Sequence, residues 1–359
     1  MTEPVILQGL GRSGTSWLSK IFDHHPMVFS IHEPDSAVRR GSIGLGPSDP
    51  AEARAYVRAI LDCRTLRAMR KRPLLPKAYR SRPAHEARKS LIYGLSLLHE
   101  AGPTGRALAR RIRVPDLADL SEARVVAKRV AGAYGLEPLV EHNPEIRFIH
   151  LVRHPCGNID SNLRGQKLGK MNRHYLPPRE LLKGRLDFDK PHDALTEADF
   201  DEIDILALRW SVANEIGLAL SERFENVRLV LYEDLCADPI GVSRSLFDWV
   251  GLDWREPCER FLRRSLERED AEGGYHALTR NPLQAANRWR ATMDPRDAAR
   301  IRAICARSGA ARLYPDLLEP EDAPPEDAPL EDAPSAASAA GELDEGLGRV
   351  GASARGEQG

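Results

Sequence analysis

The sequence predicts an α/β protein: a three-layer sandwich with a central parallel sheet, a P-loop-like glycine loop and a helical insert. Three observations lead there. Short apolar runs at Pro4–Gln8, Arg147–Val152 and Val227–Tyr232 read as buried parallel strands. The first stops at Gly9-Leu10-Gly11-Arg12-Ser13-Gly14, and a helical spacing follows at Ser16–Phe22, with Trp17, Leu18, Ile21 and Phe22 on one face. Helical sequence also follows the other two runs, with stretches at about 205–224 and 242–250. Strands that alternate with helices imply a parallel sheet covered on both sides.

The chain has 359 residues, 42% of them hydrophobic and 29% charged, which suits a globular protein in water. No stretch approaches the ~20 apolar residues of a membrane span. The start, MTEPVILQGLGRS, has neither a basic region nor an apolar core, so no secretory signal is expected. Cys63, Cys156, Cys236, Cys258 and Cys305 are scattered without a C-x-x-C pair. They read as reduced thiols of a cytoplasmic protein without a metal site.

The net charge of −1 is unevenly spread: residues 319–359 carry 11 acidic and 2 basic side chains, which leaves the other 318 residues at +8. A positive body favours an anionic ligand, although solvated arginine-rich helix faces give the same count. The tail repeats E-D-A-P three times and then turns to Ala, Ser and Gly. It has too few large apolar side chains to offset the entropy of ordering and is expected to be disordered. One domain over 1–318 and a tail over 319–359 follow. Within the domain, 51–125 reads as a helical, basic insert. Arg64–Arg113 holds 14 basic and 2 acidic residues. An anion-attracting lid, a docking surface for nucleic acid or membrane, and a solvated basic face all fit that composition.

The glycine loop departs from a Walker A sequence, G-x-x-x-x-G-K-S/T, because Thr15 stands where the lysine belongs. Backbone N–H groups and a helix N-terminus still suit an anion. Ser13, Thr15 and Ser16 add hydroxyl donors, and Arg12 places a cationic fork inside the loop. The loop therefore suits a 5′-phosphate without metal better than an ATP γ-phosphate. A purely structural turn between strand and helix is the other reading. A second element weighs against it: Arg153 ends a strand, Pro155 is placed to open a helix, and Ser161 follows Arg153 by eight residues. Two anion sites on strand ends of one sheet imply a ligand with two separated phosphates.

These paired motifs resemble those of the sulfotransferases that use 3′-phosphoadenosine 5′-phosphosulfate (PAPS). In that family an R/K-S-G-T/S-T/S loop binds the 5′-phosphosulfate, and an arginine and serine eight apart bind the 3′-phosphate. Arg12–Ser16 and Arg153 with Ser161 match. The stretch VRLVLYEDLCADPIGVSRSLFDWVGLDW is similar to a family strand and helix, and the likeness covers most of 5–310. The motif spacing is nearest the tyrosylprotein and carbohydrate branch. There a glutamate follows the loop arginine by 21 residues and a lysine precedes the second arginine by 25, as Glu33 and Lys128 do here.

The resemblance implies a catalytic set of Glu33 as general base, Lys128 at the leaving phosphosulfate and Arg12. It implies nucleotide binding by Gly11, Arg12, Ser13, Gly14, Thr15, Ser16, Trp17, Arg153, Ser161 and Tyr232, with PAPS as co-substrate, no metal and no nucleic-acid partner. Asn281–Arg290 is a candidate for the C-terminal nucleotide-binding segment.

Glu33 follows a second strand, Phe29–His32, and is expected to face Arg12 and Lys128. Strand alternation points His32 the other way. A surface ion pair for Glu33, replacement of Lys128 by Arg129, and a core role for Trp17 remain the plain alternatives. At the level of function the alternatives are a P-loop small-molecule kinase and a non-catalytic PAPS-binding module. The acceptor hydroxyl, on a carbohydrate, lipid or small metabolite, is not disclosed.

Overall fold

The computed structural model describes residues 3–38, 49–130, 135–169, 200–267 and 282–318. Backbone contacts divide the chain into Met1–Glu319 and Pro320–Gly359. The expected acidic tail, 319–359, lies outside the described residues, as does Asn281.

Five strands build one sheet: β1 (Val5–Gln8), β2 (Val28–His32), β3 (Arg124–Lys128), β4 (Arg147–Val152) and β5 (Val227–Leu231). Their order is β2-β3-β1-β4-β5, and every neighbouring pair is parallel. The fold is thus α/β, as the alternating pattern predicts. The first helices are α1 (Thr15–Asp23), α2 (Pro50–Leu61), α3 (Leu66–Met69), α4 (Arg82–Glu100), α5 (Pro103–Arg111), α6 (Leu136–Glu141) and α7 (Pro155–Lys167). There follow α8 (Glu202–Arg223), α9 (Tyr232–Ala237), α10 (Pro239–Trp249), α11 (Glu256–Leu266), α12 (Pro282–Asn287), α13 (Trp289–Thr292) and α14 (Pro295–Cys305).

Alternation along the strands divides the core into two layers. Ile6, Ala127, Phe148 and Val152 join α2–α4, α6–α8 and α14 in one buried cluster. Val5, Leu7, Val126, Ile149 and Leu151 join α1, α9, α10 and α11 in the other. A strand buried on both faces must be apolar at every position, which is why β1 reads as a continuous run.

Two expectations need correction. Residues 124–125, assigned to the insert, are the start of β3. This strand is short and ends in Arg124 and Lys128, so it lacks the apolar signature of its neighbours. Its end charges nevertheless find partners: Arg124 donates to the carbonyls of Glu3 and Gly251, and Lys128 reaches side chains at the sheet edge. The helical region itself ends at Arg111, and it is no appendage. Ala53, Val57, Ile60, Leu66, Met69, Ile92 and Leu95 belong to the same buried cluster as the sheet. Local signals start these helices: Asp49 caps α2 by accepting from the N–H groups of Ala51 and Glu52, and Pro50 takes the first helical position.

One buried group sets a pH limit. His150 on β4 is 1% exposed, and its Nε2 lies 3.1 Å from Asn214 Oδ1. Burial pulls its imidazole down to about 4. Between that value and the ordinary 6.5 the unfolded chain binds a proton that the folded chain refuses. Stability therefore rises with pH through this window and falls as pH drops below 6.5. At pH 5 the expected loss from this group alone is about 2 kcal/mol relative to pH 7.5. Urea midpoints at the two pH values test it, and equal midpoints would contradict it.

Candidate functional site

The C-terminal ends of the strands carry the site, as the crevice rule for open α/β sheets requires. From β1 the chain enters the glycine loop. Gly14 has φ 93°, a left-handed backbone, and a Cβ there would lie 2.3 Å from the Tyr232 ring. Only glycine fits both conditions. At Gly9 a Cβ would sit 2.5 Å from the carbonyl oxygen of Leu151, so β1 and β4 also close up around a missing side chain. Ser13 is fully buried, and Asn158 of α7 ties the loop down: its Nδ2 donates to Gly11 O and Ser13 Oγ, each at 3.0 Å. Asn158 escaped the sequence reading, although it lies three positions before Ser161 and so shares its helix face.

Arg12, Arg153 and Ser161, expected to form two separate anion sites, lie together. Arg12 has φ 75°, and its Nε donates to Ser161 Oγ at 3.0 Å. Arg153 Nη1 donates to Arg12 O at 3.2 Å and Nη2 to Ala285 O at 2.7 Å. Its guanidinium stands 4.9 Å from the Tyr232 ring centroid, while Nε is buried without a hydrogen-bond partner. Ala285 belongs to α12, so the described part of the 281–290 candidate segment packs directly on Arg153. Trp289 continues that wall by stacking on His154 at 4.7 Å. Trp17 and Tyr232 are both buried and meet edge-on, 6.3 Å apart, within the α1-side cluster. Their visible contacts are core contacts. Thr15 is likewise buried, and Gly11 lies under Asn158.

A second group gathers at the ends of β2 and β3. Lys128, 2% exposed, donates to Glu33 Oε1 at 2.8 Å and to Ser16 Oγ at 2.9 Å. The Glu33 N–H in turn donates to Lys128 O at 2.8 Å. Arg67 Nη2 lies 3.4 Å from Glu33 Oε2. Among the described residues Lys128 and Arg67 reach Glu33, and Arg12 bonds Ser161. Arg67 gave no sequence signal, being one of many basic residues in its stretch. Arg129 does not stand in for Lys128, since its Nη1 donates to Gln8 Oε1 at 2.6 Å.

His32 also differs from expectation. Its Nε2 is 3.4 Å from Glu33 Oε1, beside the carboxylate rather than opposite it. Alternation holds only while the backbone stays extended, and Glu33 has φ 49°. Among the described non-glycine residues only Arg12, Glu33 and Leu117 have positive φ. Two of the three are candidate site residues, a placement common where strain serves function.

The electrostatics follow from burial and Lys128. Burial by itself would raise the Glu33 carboxyl, but the charge and hydrogen bond of Lys128 outweigh it and hold the group at about 2. His32 is pushed down to about 3, first by burial and then by the Lys128 charge. Lys128 is itself lowered by burial, against the pull of Glu33. At neutral pH the cluster therefore holds an ionised carboxylate and a neutral histidine around Lys128. Such a set can orient a hydroxyl, accept its proton and stabilise charge on a leaving oxygen.

A model described as the sulfotransferase family matches residues 4–256. Among curated proteins no relative matches the chain. Among solved structures, the chain is similar to the sulfotransferase domain of the Synechococcus PCC 7002 olefin synthase, with 18% identity, 84% of this chain and 94% of that one covered, and a TM-score of 0.42. It is also similar to the sulfotransferase domain of the curacin biosynthetic pathway, with 18% identity, coverage of 84% and 96%, and a TM-score of 0.40. A third is mouse sulfotransferase SULT7A1 complexed with PAP, with 13% identity, 88% of each chain covered and a TM-score of 0.42. The family match spans every strand and both candidate groups at the sheet edge, so the chain belongs to the sulfotransferase family.

Proposed function

We propose that this sulfotransferase takes its sulfuryl group from PAPS and passes it to an acceptor hydroxyl, with Glu33 as the base. The observation that carries the reading is the pairing of two groups across Ser16. On one side Arg12, Ser161 and Arg153 form a single cationic corner for a nucleotide with two phosphates. On the other, Lys128 bonds Ser16 and Glu33 together. The acceptor oxygen bonds to sulfur as the bond from sulfur to the 5′-phosphate oxygen breaks. The acceptor proton passes to the Glu33 carboxylate, and negative charge grows on the leaving phosphate beside Lys128 and the loop N–H groups. Positioning and fixed charges carry most of such a transfer.

Within this reading Gly11, Ser13, Gly14, Thr15 and Ser16 line the phosphosulfate, and Trp17 and Tyr232 stand toward the nucleotide. The kinase alternative is displaced by the family match. The five cysteines are free and buried, which supports a reducing, cytoplasmic setting. Among the described residues no helix is long and apolar enough to cross a membrane.

Sulfur-labelled PAPS offered with a panel of hydroxyl compounds tests the function. Label in the acceptor, with adenosine 3′,5′-bisphosphate as co-product, is the expected result. Bisphosphate binding without any transfer would favour a non-catalytic module instead.

A further inference from the structure

Beside Glu33 lies a cleft that the chemistry above does not use. It runs between β2, the segment 70–81 and α4, is partly open to solvent, and has a volume of about 50 Å³. His32 forms part of its wall and connects it to the Glu33 carboxylate. Phe29, Met69, Leu74 and Leu75 supply apolar surface. The rest of the lining is strongly cationic, with Lys71, Lys77, Arg80, Arg88 and Lys89 against a single acid, Asp23.

Some of these charges have structural work. Asp23 is shared by Lys20 at 2.6 Å and Lys77 at 3.1 Å, and Lys77 also caps the carbonyls of Asp23 and His25. Lys89 bridges Glu86 at 3.2 Å on the rim. Nearby, Arg64 takes both oxygens of Asp116.

Three cations are left without a carboxylate partner among the described residues. Arg88 is 8% exposed and bonds only the carbonyl of Pro115 and the sulfur of Met69. Burial and then the charge of Arg80 drag its guanidinium down to about 10. Arg80 is 7% exposed; its Nε donates to Asp116 O, and its Nη2 is buried without a hydrogen-bond partner. Lys71 is half-buried, has no ion pair, and is lowered by burial and by the Lys128 charge. Lys71 lines the cleft, and the charges of Lys128 and Glu33 both act on it. Asp116 acts on Arg88 but is already held by Arg64, and Glu33 acts on Lys71 but is already held by Lys128, so the cleft keeps more cations than its carboxylates balance, which is costly. A chain that needed only a neutral acceptor would gain from apolar side chains here.

We infer that the acceptor carries an anionic group of its own, a carboxylate or a phosphate ester, which the cleft holds among Lys71, Arg80 and Arg88 while the hydroxyl reaches Glu33. This rests on the sulfuryl-transfer reading and names the class of its acceptor. The charges set which hydroxyl compound is accepted, and the half-buried Leu74 and Leu75 receive the carbon skeleton. The product is then a compound with two anionic groups, which the same cations hold until it leaves.

The test uses the full-length protein saturated with adenosine 3′,5′-bisphosphate and two matched probe pairs: para-hydroxyphenylacetate against its amide, and glycerol phosphate against glycerol. Binding is read by ligand-detected NMR, independently of turnover. The anionic member of at least one pair should bind about tenfold or more tightly than its neutral partner, and the preference should shrink as salt rises. Lys71→Met should remove most of that preference while the neutral partner and the bisphosphate bind as before. Lys71 is half-buried on a loop, so this variant avoids the folding risk of Arg88→Gln. Lys71→Glu should reverse the sign and favour an amine-bearing probe. Equal binding within both pairs, no anionic probe bound at millimolar concentration, or an equal loss for charged and neutral probes in Lys71→Met would each overturn the inference. Failure of the bisphosphate to bind the wild-type protein would instead sink the nucleotide reading, and the probe pairs would still report on the cleft alone.

Discussion

Sulfuryl turnover by Glu33→Gln is expected to fall ~10²–10⁴-fold, with bisphosphate affinity unchanged. The amide keeps the shape and still accepts a hydrogen bond from Lys128 through its oxygen, but it cannot take a proton. The low value of the carboxyl, about 2, has a consequence for timing. A group so acidic does not deprotonate a free alcohol in advance. Under the proposed role it would accept the proton late, once bond formation to sulfur has made the acceptor oxygen acidic. Turnover should then show no loss from Glu33 protonation at any pH where the fold survives. A stability cost accompanies the substitution, because Lys128 is 2% exposed and loses its counter-charge. Breaking a buried pair costs about 3–5 kcal/mol, and partial exposure of Glu33 places this case at or below the lower figure. Activity must therefore be measured where a urea melt shows the variant folded. A folded variant with near wild-type turnover would make Glu33 an ion-pair partner only, and His32→Ala would be the next variant, since its Nε2 lies 3.4 Å from the same oxygen.

Arg153→Ala is expected to weaken adenosine 3′,5′-bisphosphate by about 2–5 kcal/mol, the cost of removing one partner of a desolvated charge pair. AMP, which lacks the 3′-phosphate, should bind almost as before. Calorimetry with both nucleotides, on wild type and variant, separates the outcomes. The structure adds a control. Arg153 also donates to Arg12 O and Ala285 O, so its loss loosens both the loop and α12. If the defect were only this loosening, AMP would suffer in proportion, and Arg153→Lys would restore little because the ammonium lacks the planar fork that spans the two carbonyls. Equal losses for the two nucleotides would take the 3′-phosphate away from Arg153.

Much of the donor side was legible in the sequence because its elements are contiguous. An apolar run, a glycine loop and a helix lie within Pro4–Phe22, and a strand, Arg153 and Ser161 lie within one stretch. The acceptor side was harder. Glu33 and Lys128 emerged only through their offsets from the two arginines. Their bond depends on β2 and β3 pairing in the register His32 to Lys128. β3 itself was missed because a five-residue strand with charged ends has no periodic signal. His32 was assigned to the wrong side because alternation assumes an extended backbone, and the left-handed turn at Glu33 breaks it. Asn158 lay inside a recognised motif, yet its partners, Gly11 and Ser13, are known only once the helix and the loop are docked. The cations of the cleft could not be sorted from other basic residues of their stretch. Which of them face inward is decided by how α3 and α4 pack on Phe29.

The order of the strands bears on how such an enzyme could change its acceptor. β2, α2–α5 and β3 run without interruption in the chain, from Val28 to Lys128, and lie together at one edge of the sheet. That single cassette holds Glu33, Lys128 and the whole cleft apart from Asp23. It pairs with the remainder of the sheet along only one line, where Val5, Ile6 and Leu7 meet Val126, Ala127 and Lys128. The glycine loop, β4 and β5 lie outside it. A graft with two junctions, just before Val28 and just after Lys128, could therefore import another acceptor preference while leaving the donor machinery in place. Recombination would need to match one strand register, the shared buried cluster and the Lys77–Asp23 pair, which makes acceptor choice an exchangeable part of this architecture.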